Sequence, residues 1–183
     1  MHLHSRALTT VSIAAAIVFF AAAWPMTTFA QTAAQKLDDP TIVAIFDAAS
    51  TYDIETGSIA VTKGHSKAVR DFAAMLVRDH RSVRAQDRNL ARSLKVTPMP
   101  PHSFALAKAH TAAMASLRKA HGQNFDRVFL QQEVDFHNAV LDAVTTTLLP
   151  AIQNAQLKDL VTKVAPAFVA HRDRAQNLLN EIK

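Results

Sequence analysis

Five residues stand out because they can do chemistry and sit where the surrounding pattern is apolar: Asp53, His80, Glu133, His137 and His171. Burying an imidazole or a carboxylate without a partner costs several kcal/mol, so such groups pair with one another, hold water or ligate a metal. Imidazole nitrogen combined with carboxylate oxygen suits a single Zn, Cu or Fe ion. The chain has no Cys, which excludes disulfides, thiolate zinc sites, iron–sulfur ligation and a Cys nucleophile. Any metal here therefore rests on His and carboxylate. The competing reading is a satisfied polar network among the same five groups that sets helix register, and the sequence leaves both open.

Other chemistries are poorly supplied. Three glycines cannot build a dinucleotide fingerprint or a phosphate-binding loop. There is no Gly-x-Ser-x-Gly elbow, and no Ser shares the inward faces with the histidines, which disfavours a Ser hydrolase. Glu133 and His137 are four apart and could exchange a proton, but no cleft for a substrate is visible in the pattern, so a non-enzymatic protein is expected.

These residues must be positioned by helices. Asp38 and Asp39 before Pro40 make a helix start. From there Ile42, Ile45, Phe46, Ala49, Asp53, Thr56, Ile59 and Ala60 recur at three and four residues as far as Gly64. Ser66 can cap a second helix with the stripe Val69, Phe72, Ala73, Leu76, His80, Val83, Leu90 and Leu94, ending before Thr97-Pro98-Met99-Pro100-Pro101. A shorter stretch runs from Ser103 to about Lys119. A third long helix is predicted from Asn124 to Leu149, stopping at Pro150, and a fourth from Leu157 to Ile182, with Pro166 expected to kink or split it. Four amphipathic helices with no strand pattern must bury their stripes on each other. The fold class is therefore all-α, a ferritin-like four-helix bundle with an extra short helix in the crossover between the second and third long helices.

At 1.5 Å per residue, Asp53 and His80 lie within about 3 Å of the same height when counted from the turn at His65 and Ser66. His137 and His171 are equally far from Asn154. Whether the two pairs share one level depends on the crossover, which the spacing leaves open.

The N-terminus carries a lone Arg6, an apolar run from Ala7 to Pro25, and small residues at Thr28 and Ala30, the parts of a secretory signal peptide cut after Ala30. The expected organisation is a signal peptide over 1–30, a flexible segment over 31–38 and the bundle over 39–183. The expected location is the periplasm, with outer-membrane association a further possibility and no role for nucleic acid. The formal charge of +5 is concentrated on the second helix, where Arg70, Arg78, Arg81, Arg84, Arg88 and Arg92 ring the outer face. Such a stripe could dock on an anionic envelope surface or an acidic partner protein. This is the alternative function, an interaction module in which the His/acid cluster is purely structural. Oligomeric state is not legible.

The chain resembles the bacterial envelope family catalogued as domain of unknown function 4142. The resemblance is carried by Asp53-Ile-Glu-Thr-Gly57-Ser-Ile-Ala60, by Val69-Arg-Asp-Phe72 through Arg-Asp79-His80, by Phe125-Asp126-Arg-Val-Phe129 leading to Val134-Asp-Phe-His137, and by Pro166-Ala-Phe168-Val-Ala-His171. It implies a ferritin-like envelope protein and supplies no established reaction. Two positions depart from the family pattern: Asp53 stands where Glu is usual, and Lys95 where Gly is common. True ferritins place Glu three residues before the ligating His. Here Val77 precedes His80 and Phe168 precedes His171 at that spacing, so a di-iron centre is not expected and any metal should be mononuclear.

Overall fold

The computed structural model describes residues 37–101 and 105–182. The expected leader, its cut after Ala30, and His102 lie outside them. Among the described residues all regular structure is helical: α1 (Asp39–Lys63), α2 (Lys67–Ser93), α3 (Ala105–Lys119), α4 (Gly122–Ala143), a π turn (Val144–Leu148), α5 (Leu149–Ala151) and α6 (Ala155–Glu181). None of these helices is long and apolar enough to cross a membrane.

Side-chain caps fix the helix starts. Asp38 accepts from the Thr41 N–H at 3.1 Å, Ser66 from Val69 at 3.2 Å, and Asn154 from Gln156 and Leu157 at 2.9 and 3.1 Å. Two further carboxylates tie the ends of the bundle together. Buried Asp126, at the start of α4, accepts from the backbone N–H groups of His65 and Ser66 at 2.7 and 2.8 Å. Asp39, at the start of α1, accepts from Gln153 and Asn154 at 3.0 and 2.9 Å. Thus α2 and α4 begin at one end and α1 and α6 at the other. The crossover is the reason, because α3 carries the chain back along the bundle and delivers α4 parallel to α2. Its far end is held by Lys63, whose Nζ donates to the carbonyls of Leu117 and Arg118, both at 2.9 Å.

At two prolines the structure refines the sequence expectation. Pro166 neither splits nor ends α6, which runs unbroken from Ala155 to Glu181. Pro166 and Thr162, whose carbonyl loses its donor, are both on the exposed side of α6. Pro150 follows a π turn rather than a clean stop. Thr145 and Thr146 bond back to the carbonyls of Leu141 and Asp142, competing with the regular ladder and widening the helix there.

Lys95 ends α2 at φ 56°, in the left-handed region that favours Gly. Val96 N–H reaches Ala91 O at 2.9 Å and Lys95 N–H reaches Arg92 O at 3.2 Å, a Schellman cap with Lys at its left-handed position. At Gly57 the constraint is steric: a Cβ there would stand 2.9 Å from Val77 Cγ2, so α1 and α2 approach closely just beyond Asp53.

The apolar core forms two clusters. One holds Phe72, Leu76, Phe125, Phe129 and Leu130 toward the α2 and α4 starts, the other Ile42, Phe46, Val83, Leu157, Val161 and Phe168 toward the opposite end. Between them lies a polar layer.

Candidate metal centre

The polar layer consists of the five residues singled out by sequence. Asp53 comes from α1, His80 from α2, Glu133 and His137 from α4, and His171 from α6, none more than 4% exposed. The heights left open by the spacing coincide. The ring centroids lie 5.7 Å apart for His80 and His137, 5.2 Å for His80 and His171, and 5.4 Å for His137 and His171. Each of the three offers a ligand atom such that all lie within 4.8 Å of one another, and the same holds for Asp53, Glu133 and His137.

Two of the imidazoles have their tautomers set by acceptor-only partners. His137 Nδ1 is 2.9 Å from the Glu133 carbonyl oxygen, one turn earlier on α4. A carbonyl can only accept, so Nδ1 carries the proton and Nε2 presents a lone pair. His171 Nε2 is 3.2 Å from an Asp79 carboxylate oxygen, so Nε2–H donates and Nδ1 is free. Those freed atoms, His137 Nε2 and His171 Nδ1, are buried and have no hydrogen-bond partner. Both ring nitrogens of His80 are in the same condition. His80 Nε2 lies 2.8 Å from Asp53 Oδ2, close enough for strong attraction, but neither atom makes a hydrogen bond of acceptable direction. The next contact, His137 Nε2 to Asp53 Oδ2, is 3.6 Å.

The charges of the layer follow from burial and from one another. Burial lowers the His137 pKa to about 4, outweighing the pull of Asp53 in the other direction, so this ring is a neutral donor at neutral pH. Burial likewise lowers that of His171. For Asp53, burial works to raise the pKa, but attraction to His80 and His137 overrides it and holds the group below the usual carboxylate range. Glu133 is pushed well up, by burial first and by the Asp53 charge second, and Thr56 Oγ1 donates to it at 3.2 Å. The two acids thus divide their roles, Asp53 ionised and Glu133 protonated.

Asp79, Thr56 and Phe168 join this layer without having been assigned a part from sequence. Asp79 falls on the flank of α2 and becomes a partner only because α6 packs beside it. Phe168 stacks on His80, with centroids 5.4 Å apart and planes 5° from parallel. The Arg stripe of α2 is largely engaged within the molecule. Arg88 pairs with Asp47, Arg84 donates to Thr51, Arg70 reaches the carbonyls of Gly64 and His65, and Arg78 lies beside Asp79. Of the remaining histidines, His65 and His121 are exposed. His110 is half-buried, 2.7 Å from Glu55 and stacked on Tyr52.

The fold and its centre define an all-helical bundle with a buried histidine and carboxylate layer. The chain belongs to the family described as Domain of unknown function (DUF4142), which matches residues 25–178. No curated protein matches the chain. Among solved structures it is similar to the DUF305 fragment from Deinococcus radiodurans, at 15% identity and a TM-score of 0.69, over 78% of this chain and 95% of that one. It is also similar to CopM in the Cu(II)-bound form, at 16% identity and a TM-score of 0.64, over 80% of this chain and 99% of that one. At these identities the likeness is one of fold.

Proposed function

We propose that this protein binds a single first-row transition-metal ion in the interior of its bundle, through His80, His137 and His171 with Asp53 as the carboxylate ligand. The observation that carries this reading is the convergence of three buried imidazoles in which His137 Nε2, His171 Nδ1 and His80 Nδ1 are left without a partner. In a polar network of the satisfied kind, each of those lone pairs would meet a donor. Here the hydrogen bonds are spent on the opposite side of two of the rings, which is how outer partners orient metal-bound histidines. Three imidazole nitrogens and one carboxylate oxygen suit Cu(II), Zn(II) or Fe(II), and affinity rises toward Cu(II) along the series. The similarity in fold to a protein solved in a Cu(II)-bound form supports testing copper first. Glu133, protonated beside Asp53, adds a carboxyl group close to the ion rather than a second charge. The role is that of a binding protein, and the leader-like N-terminus supports a periplasmic setting, where the mass of the mature N-terminus would reveal a cut after Ala30.

The test is metal content of the untagged mature protein, alongside a His80→Ala/His171→Ala double variant. One equivalent of bound metal in the first, lost in the second, is expected. Absence of metal from both, with no response of either to added Zn(II) or Cu(II), refutes the reading and leaves the layer as a structural network.

A further inference from the structure

The histidine and carboxylate layer is closed to ions on most sides. Toward either end of the bundle it abuts an apolar cluster, and the gap between α1 and α4 is walled by Ala49, Phe136, Ala139 and Val140, hydrocarbon against which a cation would shed its water without compensation. Between α1 and α2 there is no room, since a Cβ on Gly57 would stand 2.9 Å from Val77 Cγ2. The seam between α2 and α6 is different. There Asp79 Oδ2 accepts from His171 Nε2–H at 3.2 Å, and the Asp79 side chain is 35% exposed. Thr56, the other outside partner of the layer, is buried. Among the described residues Asp79 is thus the one group that bonds to a member of the layer and also meets solvent.

Contact, charge and local weakness coincide at this seam. The Asp79 carboxylate touches a proposed ligand directly, with no intervening space to cross, and by holding the proton on Nε2 it leaves His171 Nδ1, buried and without a partner, for the ion. A partly exposed carboxylate attracts a hydrated cation where the hydrocarbon seams repel one. Arg78 Nε, on a largely exposed side chain, lies 3.2 Å from Asp79 Oδ1 and competes for the same carboxylate from the solvent side. Pro166, a little over one turn before His171, offers no N–H, so one backbone bond is missing from the part of α6 that carries the ring. Helices open locally where their ladders are incomplete, which gives His171 freedom to move without unfolding the bundle.

We infer that Asp79 is the point at which the ion enters. Its carboxylate takes up a hydrated divalent cation at the α2–α6 seam, and His171 carries the ion inward, its ring turning about the side-chain bonds to offer Nδ1 while the proton stays on Nε2. The inference rests on the metal reading, and its test separates the two. Uptake of Cu(II) by the metal-free mature protein is followed by stopped flow, and release is timed into an excess of chelator. Asp79→Asn keeps an acceptor for the His171 N–H and removes the charge, so entry should slow at least about tenfold. Arg78→Gln, at an exposed position with little risk to folding, frees the carboxylate of its competitor. Entry should then quicken about fivefold, the factor that one unit charge at about 4 Å contributes in water. An affinity loss in Asp79→Asn that lies wholly in faster release, with entry unchanged, would show that Asp79 only orients His171; it overturns the inference and leaves the metal reading standing. Entry rates that follow the thermal stability of the variants rather than their charge do the same, because the ion then enters by a general opening of the bundle. A parent that takes up neither Cu(II) nor Zn(II) removes the metal reading and this inference with it.

Discussion

Asp87 offers a sharp test of the electrostatics of this bundle because its sign is unusual. It lies two turns beyond His80 on α2, is 1% exposed, and neither carboxylate oxygen has a hydrogen-bond partner. Arg88, its neighbour in sequence, turns away to pair with Asp47. Burial, reinforced by the Asp47 charge and only partly offset by Arg88, pushes the Asp87 pKa up to about 7 from an ordinary value of 3.8. An acid raised in this way binds its proton more tightly in the folded than in the unfolded chain. Stability therefore falls as pH rises from about 4 to about 7, and the penalty is complete above that window. Taken at face value it amounts to roughly 4 kcal/mol. A groove of about 520 Å³ runs past Asp87 between Val43, Ala91 and Pro98, and the water it admits should relieve about half, leaving about 2 kcal/mol. Asp87→Asn keeps the shape and removes the ionisation. In urea unfolding of metal-free protein, the variant should gain about 2 kcal/mol on the parent between about pH 4 and about pH 8. Any constant cost of the amide cancels in that comparison. A difference between parent and variant that does not change with pH would refute the reasoning.

Lys95→Gly should stabilise the protein by about 1 kcal/mol, because Gly removes the left-handed strain at the end of α2; for a chain of this size the melting temperature rises by about 2–4 °C. A fall in melting temperature would mean that the Lys side chain makes a compensating contact. Asp126→Ala strips two charge-assisted bonds from the His65 and Ser66 N–H groups and should cost about 3 kcal/mol in denaturant titration, with a loss under about 1 kcal/mol counting against the pinning role. In metal-free protein His137 should stay unprotonated by NMR until the pH approaches 4, whereas the unfolded chain takes up that proton near 6.5. This residue therefore withdraws about 3 kcal/mol of stability as pH falls across that window, and titration of its ring at the ordinary value would show that the layer is wet.

Much of this arrangement was legible in the sequence because helices convert spacing into direction. Asp53, His80, Glu133, His137 and His171 each fall in register with apolar neighbours at three and four residues, and a helix has only one way to turn such a stripe inward. What spacing could not provide was anything that depends on a second helix. Asp79 looks like a surface acid until α6 brings His171 against it, and the common height of the two histidine pairs depends on how far α3 carries the crossover. Local chemistry also overrode simple rules at the prolines. Pro166 sits on the exposed side of α6, where the helix runs on unbroken, while Pro150 acts through a π turn built by the threonines before it. Lys95 was marked only by comparison with the family pattern, and the positive φ supplies the physical reason for Gly at that position.

The identity of the side chains one turn from the histidines also limits how many ions the layer can hold. A second ion at bonding distance would need bridging carboxylates on α2 and α6, three residues before His80 and His171. Those positions are Val77 and Phe168, both buried and apolar. Phe168 is further committed, since its ring runs parallel to that of His80 with centroids 5.4 Å apart. The remaining acid of the layer, Glu133, accepts from Thr56 on α1, and its pKa is pushed well up by burial first and by the Asp53 charge second. Replacing Phe168 by Glu would insert a second ionisable acid beside Asp53 without a partner on α2, so the change should lower stability without creating a two-metal site. Metal stoichiometry rising to two equivalents in Phe168→Glu would show that the layer has more room, and more tolerance for charge, than its packing indicates.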